Sequence, residues 1–220
     1  QEQDDYAVRS YKKSILANES GIFANEIVGV SVTQRKGESI LIIEDEEYKS
    51  VKFEKIPQLR AAFSENGTVT AANSSTINDG ASTLILASGE AIEKHNLNPV
   101  AKILSFADAS QAPEWFTTAP TKAAPKALGV LKMSTSDVDY FEVNEAFSVV
   151  PLAFNKILDI NINKVNVHGG AVSMGHPLGA SGARIVTTLI NVLQTKNAKI
   201  GCAAICNGGG GASSIVIERL

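Results

Sequence analysis

The stretch GGAVSMGHPLGASGAR, Gly169 to Arg184, decides how the rest of the chain is read. It sets a histidine and a proline among glycines and small residues, directly before an apolar, helix-compatible run that continues to Gln194. A turn followed by a helix start needs glycines and a cap, and His-Pro supplies neither efficiently. A histidine held on a tight turn is a candidate acid, base or hydrogen-bond donor, because its proton affinity lies near neutral pH. The competing reading of His176 is a satisfied interior histidine, and one residue does not choose between them.

Outward from this turn the pattern is α/β. Downstream, KIGCAAICN and SSIVIERL flank Gly208 to Gly211 and predict a hairpin of two mostly apolar strands. Upstream, YFEVNEAF (Tyr140 to Phe147) predicts a strand running into a helix over FSVVPLAFNKIL, where Pro151 is tolerable in the first turns. PTKAAPKALGVL and GEAIEKHNL read as helices, VAKILSFADAS and DGASTLILAS (Asp79 to Ser88) as strands. Nearer the start, residues 5–19 suit a helix, and IVGVSVT and SILIIED suit strands around the Arg35–Gly37 turn. Strands alternating with helices, closed by one antiparallel pair, predict an α/β fold whose sheet is covered on both faces. Reactive groups should gather where strands hand over to helices.

Composition limits the function classes. With 220 residues, 44% of them apolar, the chain can bury a substantial core. A formal charge of −3 gives no basic field, which argues against nucleic acid and anionic membrane surfaces as partners. No apolar run approaches the roughly 20 residues of a bilayer-spanning helix. The two cysteines, Cys202 and Cys206, complete no zinc pattern and read as free thiols in a reducing compartment. The opening QEQDDYAVRSYKKS has neither a secretory nor an organellar presequence pattern, and Glu218-Arg219-Leu220 is not a peroxisomal address. The expectation is a soluble protein, cytoplasmic, with a mitochondrial location as the alternative because any presequence would precede Gln1.

Three junctions carry candidate chemistry: Asn144-Glu145-Ala146-Phe147, Ser173 to Pro177, and Ile205 to Gly211. Each puts a polar or reactive group on a turn with exposed backbone N–H groups, as stabilisation of an oxyanion requires. Singly, each has a duller explanation. Asn144 would cap the following helix, and Cys206 would be a small core residue. The four glycines would be a flexible turn, and neither glycine-rich stretch has the Lys and Ser/Thr of a phosphate loop. Between Asp45 and Gly80 the chain is long for a connection and rich in turn residues, which points to a functional loop. Within it Lys49, Lys52 and Lys55 recur beside Tyr48 and Phe53, as a solvated charged face would also have them.

Taken together, NEAF, GGAVSMGHPLGASGAR and CNGGGG, in this order and at this spacing, resemble the thiolase family, and GTVTAANSSTINDGAS (Gly67 to Ser82) resembles the family segment that returns from the CoA-covering loop domain. The match is nearest to acetoacetyl-CoA thiolases and runs along the whole chain. It implies the thiolase fold, layered α-β-α-β-α. It also implies a division into part of the loop domain (1–77), a returning strand and helix of the N-terminal thiolase domain (78–98) and the C-terminal domain (99–220). The family's nucleophilic cysteine has no counterpart here, since neither Cys202 nor Cys206 matches it. The expectation is therefore that this polypeptide alone does not turn over.

By the same resemblance the reaction is the Claisen condensation of two acetyl-CoA to acetoacetyl-CoA and CoA, and the reverse thiolysis, as used in mevalonate and sterol synthesis. His176 matches the histidine that activates the nucleophile and then hydrogen-bonds the thioester oxygen, and Asn144 the residue completing that oxyanion hole. Cys206 matches the second catalytic cysteine, which moves the α-proton, work for which a thiolate near neutral pH is suited. Gly208 would give its N–H to a second oxyanion hole. Tyr11, Ser50, Val51, Lys52, Lys55 and Ser75 match CoA contacts, and Leu59, Phe63, Ala71 and Phe147 would line the pantetheine channel. No cofactor is required, although some members bind potassium through positions matching Tyr11, Ala71, Ala72, Ser74 and Val172. A dimer or tetramer is expected of the complete enzyme. Alternatives are a non-catalytic CoA-binding fragment and a longer-chain 3-ketoacyl-CoA thiolase. A decarboxylating ketoacyl synthase would lack Cys206 in this hairpin.

Overall fold

The computed structural model describes residues 1–220. Helix α1 (Glu2–Glu19) is followed by a small antiparallel pair, β1 (Val30–Val32) and β2 (Ile40–Ile42). After a stretch of short 3-10 turns come α2 (Gly89–His95), β3 (Ala101–Ser110), α3 (Pro120–Val130), β4 (Tyr140–Val143) and α4 (Val149–Leu158). The chain ends with α5 (Ala171–Met174), α6 (Ser181–Thr195), β5 (Ile200–Asn207) and β6 (Gly211–Arg219).

The main sheet has the order β3-β6-β5-β4. β6 lies antiparallel to both β3 and β5, while β4 joins β5 in parallel, Val143 opposite Ala204. Alternation along β5 divides its side chains between two cores. Cys202, Ala204 and Cys206 face α3 and α4, packing with Leu128, Phe141, Val143 and Phe154. Ala203 faces α6, where Ile185, Leu189 and Leu193 meet Ile217. The sheet is thus covered on both faces, as the α/β alternation predicts. Helix α1 buries Tyr6, Ser10, Tyr11, Ser14 and Ala17, a stripe at helical spacing whose hydroxyls require a polar partner surface.

Two expectations fail here. Asp79 to Ser88 forms no sheet pairing; it is extended, with Ile85 and Leu86 90% and 75% exposed. The reason is that no other strand of the chain runs beside it, and α2 after it has no buried residue. The strand expected over Tyr140 to Phe147 stops at Val143. From Asn144 onward the chain bends, because its polar groups turn to partners outside the sheet.

One buried charge in the sheet lacks ordinary solvation. Glu142 on β4 is 1% exposed and its nearest cation, Arg184 on α6, stands 4.0 Å away, beyond hydrogen-bond reach. Burial pushes its carboxyl up to about 8, against the pull of Arg184. Between the ordinary carboxyl range and that value, the folded chain holds a proton that the unfolded chain releases. Stability contributed at this position is therefore present at low pH and falls as pH rises. Relative to Glu142→Gln, the native chain should lose on the order of 1 kcal/mol of folding free energy per pH unit between about pH 5 and about pH 8. Paired urea melts of the two proteins across that range check this, and a constant difference between them would refute it.

Candidate active site

One end of the sheet gathers the three junctions. Where β4 ends, the N–H of Asn144 still donates to the Ala204 carbonyl on β5 at 2.9 Å. This carries Asn144 alongside the last residues of β5, where Cys206 lies. The bend that follows is pinned from the loop region. Ala146 O accepts from the N–H and Oγ of Ser75 at 3.0 and 2.9 Å, and the Ser148 N–H donates to Asn73 O at 2.8 Å. Asn144 does not cap α4, which begins at Val149 behind Ser148 as its N-cap.

His176 is brought to the same place. Its peptide N–H donates to Thr76 O at 2.9 Å, and its ring is nearly buried. Nδ1 lies 2.6 Å from Ser181 Oγ, the first residue of α6. Ser181 Oγ also lies 3.0 Å from Pro177 O, and with its single proton assigned to that carbonyl Nδ1 is the donor. Nε2 then carries the lone pair and accepts from Asn144 Nδ2 at 3.2 Å. Burial first, then the charge of Arg184, holds the proton affinity of His176 below the usual imidazole value. The ring is neutral at pH 7 and able to take a proton at Nε2.

Cys206 packs in the α3–α4 core beside Val143, with Ala146 and Phe147 of the bend against it. Burial pushes its thiol up to about 11, and that of Cys202 likewise. With no cation beside it, a desolvated sulfur holds its proton more tightly than a free thiol. Past Cys206 the β5–β6 turn uses Gly209 and Gly210 at φ +88 and +91°, so two of the four glycines have a backbone reason. Gly208 is exposed and its N–H has no acceptor within the protein. A cavity of 450 Å³ borders this region between Asn78–Ser82 and Pro177–Ala180; its lining begins one residue after His176 and includes neither Asn144 nor Cys206.

The residues matched to CoA contacts fall into two groups. Tyr11 is buried with Ala7, Tyr48 and Val172, edge-on to Phe53 at 6.3 Å, and Val51 packs against this cluster. Ser75 sits at the Asn144 bend. Ser50, whose Oγ donates to Glu47 O, and Lys52 and Lys55 lie exposed on consecutive turns. Neither Lys52 nor Lys55 forms an ion pair, whereas Lys49 pairs with Glu44 at 2.9 Å. Phe63 lies edge-on to Phe147 at 6.0 Å, an apolar row continued by Phe116. Among the residues matched to potassium, Tyr11 and Val172 touch. Ala71, Ala72 and Ser74 belong to the loop that bridges Phe147 through Ser74.

Sequence reasoning missed the residues that hold these bends. Ser181 is one. The others surround Glu145: Tyr6, Ser10, Asn166 and the Val172 N–H all donate to its carboxylate. The available signal was Ser10 and Ser14 at helical spacing on a face otherwise built for burial, together with a second polar residue beside Asn144.

Comparison with known proteins identifies the family. Residues 97–219 match the family model of the thiolase C-terminal domain, and residues 1–90 that of the thiolase N-terminal domain. The chain belongs to the thiolase family, and its fold is the thiolase fold. It is 54% identical over 220 residues to a probable acetyl-CoA acetyltransferase of Dictyostelium discoideum, covering 100% of this chain and 53% of that protein. A mitochondrial acetyl-CoA acetyltransferase of Danio rerio is 53% identical (100% and 52% covered), and a cytosolic one of Gibberella zeae 51% identical (99% and 55% covered). The crystal structure of Acat5 thiolase from Ascaris suum in complex with coenzyme A superimposes with a TM-score of 0.90 at 45% identity, over 100% of this chain and 56% of that one. The chain thus spans about half the length of the relatives it matches. No helix is long and apolar enough to cross a membrane.

Since only the thiolate alkylates, iodoacetamide should modify Cys206 at pH 7.5 roughly a hundredfold more slowly than an ordinary free thiol, with a rate still climbing beyond pH 9. Peptide mass mapping over a pH series measures this. Rapid labelling that levels off near pH 7 would show an activated thiolate instead.

Proposed function

We propose that these residues form the proton-handling part of an acetyl-CoA C-acetyltransferase, which condenses two acetyl-CoA to acetoacetyl-CoA and CoA and runs the reverse thiolysis. The observation that carries this is the neutral His176, its Nε2 lone pair facing Asn144 Nδ2 at 3.2 Å at the sheet end that also holds Cys206. In that reading an acceptor cysteine, contributed by neither Cys202 nor Cys206, gives its proton to His176 Nε2 as its sulfur attacks the acetyl carbonyl, and the CoA thiolate expelled when the old thioester bond breaks takes that proton back from Nε2 and leaves as the thiol. Protonated in between, Nε2 donates to the thioester oxygen, with Asn144 beside it, while the Gly208 N–H faces the second oxyanion. Cys206 takes the α-proton from the incoming acetyl-CoA in condensation and returns it to the leaving carbanion in thiolysis. A sulfur that rests protonated is ready for the second role and must be deprotonated for the first.

CoA would lie along the loop region, its phosphates beside Lys52 and Lys55 and its pantetheine arm along Phe63 and Phe147 toward Ser75. Tyr11, Ser50 and Val51 would contact the nucleotide end. A potassium ion would be held by the Tyr11 hydroxyl and by carbonyls of Ala71, Ala72, Ser74 and Val172, an all-oxygen set suited to a hard cation, and would stiffen the loop against CoA. We assign 1–77 to the loop domain, 78–98 to the N-terminal domain and 99–220 to the C-terminal domain, with a homo-oligomeric, cytoplasmic enzyme as the working form. A longer-chain 3-ketoacyl-CoA thiolase is distinguished by its preference among acyl-CoA substrates.

The 220-residue chain alone should show no thiolysis of acetoacetyl-CoA; measurable CoA release would remove the need for an acceptor cysteine outside it. Isothermal titration with CoA should show binding that Lys52→Ala with Lys55→Ala weakens about tenfold at low salt and less at high salt. In an active polypeptide carrying these residues, His176→Ala or Cys206→Ala should each lower kcat by about a thousandfold or more, and near-native turnover would reject the assigned roles.

A further inference from the structure

Glu145 has no exposed surface, and its carboxylate is met by four donors from three separate parts of the chain. Oε1 accepts from Tyr6 Oη at 2.8 Å and Asn166 Nδ2 at 2.9 Å; Oε2 accepts from Ser10 Oγ at 2.6 Å and the Val172 N–H at 3.1 Å. Tyr6 and Ser10 belong to α1, Asn166 to the turn after α4, and Val172 to α5, two residues before the turn that presents His176. Asn166 also brackets the end of β4, accepting from the Val143 N–H and donating to its carbonyl, each at 2.8 Å. Gly170 belongs to the same device: a Cβ there would stand 2.5 Å from Glu145 Cδ.

The residue before Glu145 is Asn144, whose carboxamide reaches His176 Nε2. Glu145 itself reaches neither the imidazole nor the thiol. We propose that Glu145 is the positioning residue of the Asn144–His176 pair, its carboxylate locking the β4 bend to α1 and α5 so that Asn144 donates to Nε2 and fixes the Nδ1–H tautomer of the base. The inference rests on the reading of His176 as the base, but what it predicts is a property of the resting ring. Glutamine cannot replace the carboxylate. Whichever way its amide is turned, one N–H of the side chain faces either the fixed Val172 N–H or the Asn166 amide, and the bend must shift to separate the two donors.

The test is made on the chain as it stands. Nitrogen chemical shifts of His176, measured by NMR at a pH where the ring is neutral, report which ring nitrogen carries the proton. In the native chain Nδ1–H should dominate. In Glu145→Gln the ratio of Nδ1–H to Nε2–H tautomers should fall about fivefold, the equilibrium equivalent of one lost hydrogen bond. If that variant does not fold, Tyr6→Phe combined with Ser10→Ala keeps the carboxylate while removing two of its donors, and should move the ratio the same way by less. Leu128→Ala, in the core on α3, supplies comparable destabilisation away from the device and should leave the ratio unchanged. An unaltered ratio in the Glu145 and donor variants, or an equal change in Leu128→Ala, overturns the proposal. A lack of acyl transfer would instead count against the proposed activity and leave this readout standing.

Discussion

A carboxylate withdrawn from water loses several kcal/mol of hydration unless donors replace it, and that constraint at Glu145 explains much of the local architecture around the candidate site. The buried stripe of α1 carries hydroxyls where a packed helix would normally carry aliphatic side chains, because two of them, Tyr6 and Ser10, are needed at the carboxylate. Ser14 and Ser173 extend the same network at 2.6 Å, and Asn166 accepts a left-handed backbone at φ 48° to present its amide. Helix α1, the β4 bend and α5 are thereby interdependent: removing any one leaves buried polar groups of the others unpaired. Loop region and sheet end are tied by charge-assisted hydrogen bonds more than by an apolar interface.

This fixed frame bears on the imidazole. A base of use near neutral pH must be neutral, correctly tautomerised and aimed. Burial and Arg184 keep His176 uncharged, Ser181 takes the Nδ1 proton, and Asn144 marks where Nε2 points. Arg184 has a second neighbour, the buried Glu142 on the strand that leads to Asn144, at 4.0 Å. The same guanidinium thus opposes protonation of the ring and favours ionisation of the carboxyl.

Much of this was legible in the sequence, because it depends on local pattern. The strands and helices from Val100 onward follow hydrophobic period, and the three junctions announce themselves as polar or glycine interruptions at strand ends. What could not be read depends on distance along the chain. Glu145 was visible as a polar break, yet its partners lie 135 and 139 residues upstream on α1, and no periodicity connects them. The apolar stretch from Asp79 to Ser88 reads as a strand by composition, but pairing is a property of two strands and no second one lies beside it. The sulfur state of Cys206 is hidden for a related reason: residue type says nothing of its proton, which is governed by the neighbours that desolvate it, and those neighbours are apolar.

That protonated sulfur has a consequence for how the site can work. At rest it holds a neutral imidazole and a neutral thiol, and no ion pair between them, so the pocket carries little charge of its own to be desolvated when an uncharged thioester enters. In the proposed reaction charge appears only as bonds change, on the oxygen facing Asn144 and His176, where Nε2 becomes a donor once it has taken a proton, or on the one facing the Gly208 N–H. Protonated Cys206 is then a suitable acid for a carbanion leaving in thiolysis. In condensation, the thiol must first surrender its proton at a cost set by the burial that raises it.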